Sequence, residues 1–169
     1  MWRRILVSTL ALVVVGGLPG IAVAQPPTLM IGNVTTRFTI GRAIDGARRR
    51  LEAPRCQGVL DEFADASGAS LRTVLDQANV TPAEFLVRLR FADGDQSRQC
   101  QKSGDMAAFT MPGNRVVFIC ARRFDTDFRD RMMTAEMIII HEMLHAVGLG
   151  ENPPASREIT ARVTKRCGA

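Results

Sequence analysis

The run EMIIIHEMLHAVGLGENPP, Glu136 to Pro154, limits the fold of this chain more than any other stretch. From Met137 to Val147 the residues are apolar on nearly every side of a helical wheel, which predicts a helix buried all round rather than half solvated. Gly148 is placed to end it. Yet its centre holds His141, Glu142 and His145, and the chain's 169 residues contain only two histidines, both of them here. Buried polar groups cost free energy unless something satisfies them. The fold must therefore deliver partners to two imidazoles and a carboxyl inside its core.

The spacing suggests what the partner is. His141 and His145 are four residues apart, so on a helix they stand one above the other on the same face. Two neutral imidazoles held that way can both reach one Zn²⁺ at ~2.0–2.1 Å. Glu142 lies one position round the helix, within reach of a metal-bound water rather than of the metal. This is the HExxH arrangement, in which zinc lowers the water's pKa and the glutamate takes its proton. The alternative is a pair of core histidines bonded to main-chain carbonyls, with Glu142 at the surface.

The start of the chain bears on where such chemistry takes place. Met1-Trp2-Arg3-Arg4 is a short basic opening, and the apolar run from Ile5 to Leu18 has the length of a signal h-region. Ala22-Val23-Ala24 supplies a small-x-small cleavage pattern, so residues 1–24 read as a signal peptide and 25–169 as a single domain. An uncleaved anchor is the alternative, but the run is short for a span of ~20 residues. Export to a secreted or periplasmic location explains the even cysteine count. Cys56, Cys100, Cys120 and Cys167 suit two disulfides in an oxidising compartment. Of three possible connectivities we expect Cys100–Cys120 across a local strand pair and Cys56–Cys167 tying the early helices to the C-terminus. A rival role for Cys120 is a thiolate metal ligand, although no cysteine has CxxC spacing.

Charge excludes one class of partner. Loss of Arg3 and Arg4 lowers the formal net charge from +5 to +3, and the remaining basic residues are scattered. Arg48-Arg49-Arg50 and Arg122-Arg123 are the only clusters, and solvated surfaces account for both. The one Trp lies in the leader and there is no Tyr, so base stacking would rest on Phe alone. No nucleic-acid role is expected, nor stable membrane insertion once the leader is removed. Oligomeric state is left open.

Along the chain, Gln25 to Thr39 reads as an extended lead-in. Helices are expected over Ile40–Leu51, Pro54–Asp65, Ser70–Ala78 and Thr81–Arg90, the last opening on a capping box, Thr81-Pro82-Ala83-Glu84. Phe91 to Asp95 reads as a turn-rich edge. FTMPGNRVVFIC predicts a hairpin, Phe109–Met111 and Arg115–Cys120 about a Pro112-Gly113-Asn114 turn. Phe124 to Arg131 is amphipathic without a clear state. The apolar helix then runs from about Thr134 to Val147, and a last helix, Ser156–Lys165, turns Ile159 and Val163 inward. The fold class is α+β: several helices, a small sheet, and a buried helix near the C-terminus.

HEMLHAVGLGE resembles the zincin metallopeptidases, in particular the HExxHxxGxxH pattern of the metzincins. The stretch through GLGENPPASREITARVTKRCG is similar to the tail of small exported bacterial metallopeptidases, and the resemblance spans about Ile138 to Cys167. It implies a zincin-like fold, a Zn²⁺ cofactor, a peptide or protein substrate, and a sharp turn at Gly148. It also implies a third ligand at position 151, where Glu151 replaces histidine. Two departures stand out: no Met follows Met143 to form a methionine turn, and 18 residues follow Glu151, too few for the usual lower subdomain. In the gluzincin branch the third ligand is a Glu on the next helix, which makes Glu158 the alternative.

The implied reaction is peptide hydrolysis with Glu142 as general base. Related enzymes stabilise the oxyanion with Tyr or an extra His, both missing here, so Arg115 and Arg157 are candidates. In the family an edge strand binds extended substrate, which points to the strand from Arg115 to Cys120. Two further classes stay open: a non-catalytic metal-binding or scaffold protein, and a zinc hydrolase of another amide. A deformylase-like version of the latter needs Cys120 as a free thiol.

Overall fold

The computed structural model describes residues 26–168, so the leader expected over residues 1–24 lies outside the described residues. The extended lead-in forms a short strand, β1 (Thr28–Met30). Asn33 then caps the first helix, its side chain accepting from the N–H groups of Thr35 and Thr36. Helix α1 (Val34–Leu51) therefore begins earlier than the apolar spacing from Ile40 suggests. Pro54 opens α2 (Pro54–Gln57), which tightens into a 3₁₀ turn over Gly58–Asp61 instead of running to Asp65. The competing element is local: the Asp65 carboxylate accepts from the N–H groups of Ser67 and Ala69 and holds a tight loop. Helices α3 (Leu71–Gln77) and α4 (Pro82–Val87) follow, the second on the expected capping box of Thr81 and Glu84.

Arg90–Asp93 is strand β2, not a turn-rich edge. It pairs in parallel with β1 on one side and with β4 (Val116–Ile119) on the other, which buries Phe91 and Ala92. Pairing on both sides is tertiary context that four residues cannot display in sequence. After α5 (Arg98–Lys102), strand β3 (Ala108–Phe109) pairs antiparallel with β4 in the expected hairpin, although the ladder is only two residues long. The sheet order is β1-β2-β4-β3. The terminal strands are thus β1 and β3, and β4, expected at the edge, lies inside the sheet.

Helix α6 (Ala121–Asp130) leads into α7 (Met132–Val147), the buried helix, and α8 (Ser156–Cys167) closes the chain with Ile159 and Val163 inward. Among the described residues this makes eight helices and a four-stranded mixed sheet, an α+β fold. Helix α7 packs against α1, α6, α8 and β3. It meets α1 at Gly46, where a Cβ would collide with the Glu136 side chain. Glu136 is itself buried and is paired with Arg50, whose guanidinium also donates to the Cys167 carbonyl. Arg50 is therefore an internal clamp rather than part of a solvated face.

Both expected disulfides form. Cys56–Cys167 ties α2 to the end of α8. Cys100–Cys120 joins α5 to the end of β4, a helix-to-strand link rather than a bridge across two strands. Among the described residues no cysteine is free, so Cys120 does not stand as a thiolate ligand. The two bridges fit an oxidising compartment. Among the described residues no helix is long and apolar enough to cross a membrane.

Candidate metal centre

The last turn of α7 is held by a backbone device. Gly148, at φ 138°, donates to the carbonyls of Leu144 and His145, and the chain reverses there. That reversal lets the Leu149 N–H reach the Leu144 carbonyl, and it turns the Leu149 carbonyl back onto His145 Nδ1 at 2.8 Å. Leu149 is steadied from outside by an antiparallel bridge to Asp65. On the other side Gly113, at φ 75° in the β3–β4 turn, donates to the His145 carbonyl at 2.9 Å. The hairpin is thereby anchored to α7, with β3 running beside it.

Between these elements lies a cavity of about 390 Å³. Its walls include Ala108, Phe109 and Thr110 from the hairpin, His141, Glu142 and His145 from α7, Glu151 from the loop, and Thr160 from α8. His141 and His145 are both buried, and their Nε2 atoms face each other at 3.1 Å. Each ring is held at its far nitrogen, His145 by the Leu149 carbonyl and His141 by the Thr160 hydroxyl at 3.0 Å. The carbonyl half of the core-histidine alternative is thus met by one ring only. Its other half is not: Glu142 is buried, not at the surface.

Glu142 carries the strongest electrostatic signature. Burial pushes its carboxyl up to about 8 from an ordinary 4.5; the Thr110 hydroxyl opposes the shift, and the negative charge of Glu151 adds to it. Thr110 nonetheless falls short of hydrogen-bond geometry, so Glu142 Oε2 and Thr110 Oγ1 are both buried without a partner. Burial, helped by the neighbouring His145, holds His141 down to about 4 from an ordinary 6.5. The His141 imidazole is thus available as a neutral donor at neutral pH.

The donor set fits a divalent ion in part. Two ligands ~2.0–2.1 Å from one tetrahedral ion stand about 3.3–3.4 Å apart, close to the Nε2 separation found here. A buried carboxyl beside them, its Oε2 without a hydrogen-bond partner, is the second observation in favour. Among the described residues, however, no three His, Cys, Asp or Glu side chains converge at coordinating distance. Glu151 lines the cavity but is exposed. Glu158 is turned away, its carboxylate paired with Arg162 one turn along α8. From that helix it is Thr160 that reaches His141.

Neither arginine proposed for the oxyanion lines the cavity, and Arg115 stacks over the Phe85 ring instead. Among the described residues lining it there is no Lys or Arg. Thr110 and Thr160 were missed in sequence. Thr160 sits four residues into a helix that shows only its inward Ile159 and Val163, and a lone threonine gives no signal. In comparison with known proteins, no family model matches the chain, and no curated protein or solved structure matches it.

Proposed function

We propose that this protein is an exported zinc-dependent metallopeptidase. The observation that carries the reading is the facing pair of Nε2 atoms at 3.1 Å beside the unpartnered Glu142 carboxyl. His141 and His145 would hold the ion, with Glu151, already on the cavity wall, as the third ligand and Glu158 as the alternative. A bound zinc ion would supply Lewis acidity toward the scissile carbonyl and would acidify its water. The chain's own residues do the rest. Glu142 takes the proton of the attacking water and passes it to the leaving amine. Without metal its buried carboxyl holds its own proton at neutral pH, and a cation bound beside it would favour the ionised form that a base needs. Thr110 offers a free hydroxyl at the cavity wall, a neutral donor toward developing negative charge. Strand β3, terminal in the sheet, gives an extended peptide a main-chain partner.

The test is zinc content and peptide-library cleavage for wild type and Glu142→Ala, with metal retention in Glu151→Ala and Glu158→Ala. The expected result is that Glu142→Ala keeps zinc and loses turnover, and that Glu151→Ala loses zinc. Equal cleavage by wild type and Glu142→Ala would remove the catalytic claim and leave a zinc-binding scaffold. Zinc retained by both third-ligand variants would sink both assignments.

A further inference from the structure

We propose that Thr160 is a positioning residue that lets His141 exchange tautomers when a divalent metal is taken up, its hydroxyl accepting from one form of the ring and donating to the other. This rests on the metal reading above.

The two imidazoles are not equivalent. A carbonyl can only accept, so the contact of His145 Nδ1 with the Leu149 carbonyl requires the proton on Nδ1. With its proton on Nδ1, the neutral form of His145 presents a lone pair at Nε2, the form a metal ligand needs, whether or not metal is present. That lone pair points at His141 Nε2 at 3.1 Å. Without metal the contact is attractive only when His141 carries its proton on Nε2. Its Nδ1 is then the acceptor, and Thr160 must donate to it across 3.0 Å. To bind metal, His141 must instead free the Nε2 lone pair and carry its proton on Nδ1, and Thr160 must accept.

Only a group that both donates and accepts can serve the two states. A carboxylate, the frequent partner of a metal-bound imidazole, would serve the second state alone. A hydroxyl serves both by rotating about one bond. The exchange balances without added reagents. Water takes the Nε2 proton and supplies one to Nδ1, and the ring stays neutral. Water can reach the pair because Thr160 is exposed on α8, while Cys56–Cys167 and the inward Ile159 and Val163 hold that helix in place.

The exposure of Thr160 also makes the experiment clean, since neither substitution disturbs the core. Wild type, Thr160→Val and Thr160→Ser are compared without metal and with one equivalent of Zn²⁺. The tautomer of each ring is read by long-range ¹H–¹⁵N NMR, and Zn²⁺ affinity by competition with a chromophoric chelator. In wild type His141 should show Nε2–H without metal and Nδ1–H with it, while His145 stays Nδ1–H throughout. Thr160→Ser should bind Zn²⁺ like wild type. Thr160→Val should bind about 10- to 100-fold more weakly, the usual loss on removing such a partner. Equal affinity for Thr160→Val and wild type overturns the role of Thr160 and leaves the metal centre standing. Nδ1–H on His141 before metal is added overturns the exchange in the same way. No Zn²⁺ binding by wild type overturns both.

Discussion

Glu142→Gln should make the metal-free protein more stable, and increasingly so as pH rises. In the folded chain the Glu142 carboxyl is pushed up to about 8, chiefly by burial, against an ordinary 4.5 when unfolded. Below pH 4.5 both states hold the proton and the residue contributes nothing. Between 4.5 and 8 the unfolded chain ionises while the folded one keeps its proton, so wild type loses ~1.4 kcal/mol per pH unit. The loss reaches about 3 kcal/mol at pH 7 and levels off near 5 kcal/mol above pH 8. Gln keeps the shape and cannot ionise. His141 acts at the other end: its folded value near 4, below an ordinary 6.5, removes stability as pH falls from 6.5 through 4 in both proteins. The difference between the two curves therefore isolates Glu142. Urea unfolding of chelator-treated protein is followed by far-UV circular dichroism, because residues 25–169 contain neither Trp nor Tyr. Parallel stability curves for the two proteins from pH 5 to 8 would refute a buried, unpartnered carboxyl.

Arg50→Met should destabilise the fold by about 3 kcal/mol, because it strands the buried Glu136 without its ion-pair partner; denaturant midpoints check this, and Glu136→Gln should rescue most of it. Replacing Cys56 and Cys167 together by Ser releases a link spanning 111 residues, which chain entropy values at about 4–5 kcal/mol, against ~3 kcal/mol for the 20-residue separation of Cys100 and Cys120. Thermal unfolding should rank the two pairs in that order.

What could be read in advance was what short-range chemistry writes plainly. The capping box at Thr81, the buried α7, the stop at Gly148 and the inward Ile159 and Val163 each follow from local propensity or period. The misses share a cause. Asp65 ended the second helix early through its own side-chain loop, Arg90–Asp93 became a strand because β1 and β4 flank it, and Arg50 left the surface because Glu136 lies opposite Gly46. Each depends on a partner distant in sequence or on a competing hydrogen bond. The site divides along the same line. His141, Glu142 and His145 share a single helix and one spacing, whereas the groups that aim them come from the hairpin, the Leu149 turn and α8.

The placement of unsatisfied groups is the most telling feature of the fold. The other buried polar side chains each have a dedicated partner: Thr36 and Thr39 bond to Asp125, Asp127 pairs with Arg123, and Glu136 pairs with Arg50. Among the described residues, the buried side-chain atoms without a partner are Thr110 Oγ1 and Glu142 Oε2, both on the wall of the one cavity that the histidines also line. A chain that spends an arginine and a glycine to settle Glu136 has the means to settle Glu142, one turn and a half further along the same helix. Leaving it bare costs stability, as the pH dependence above quantifies. Local conflicts of this kind gather where function opposes folding. The conflict here is aimed into a cavity, where a ligand can resolve it.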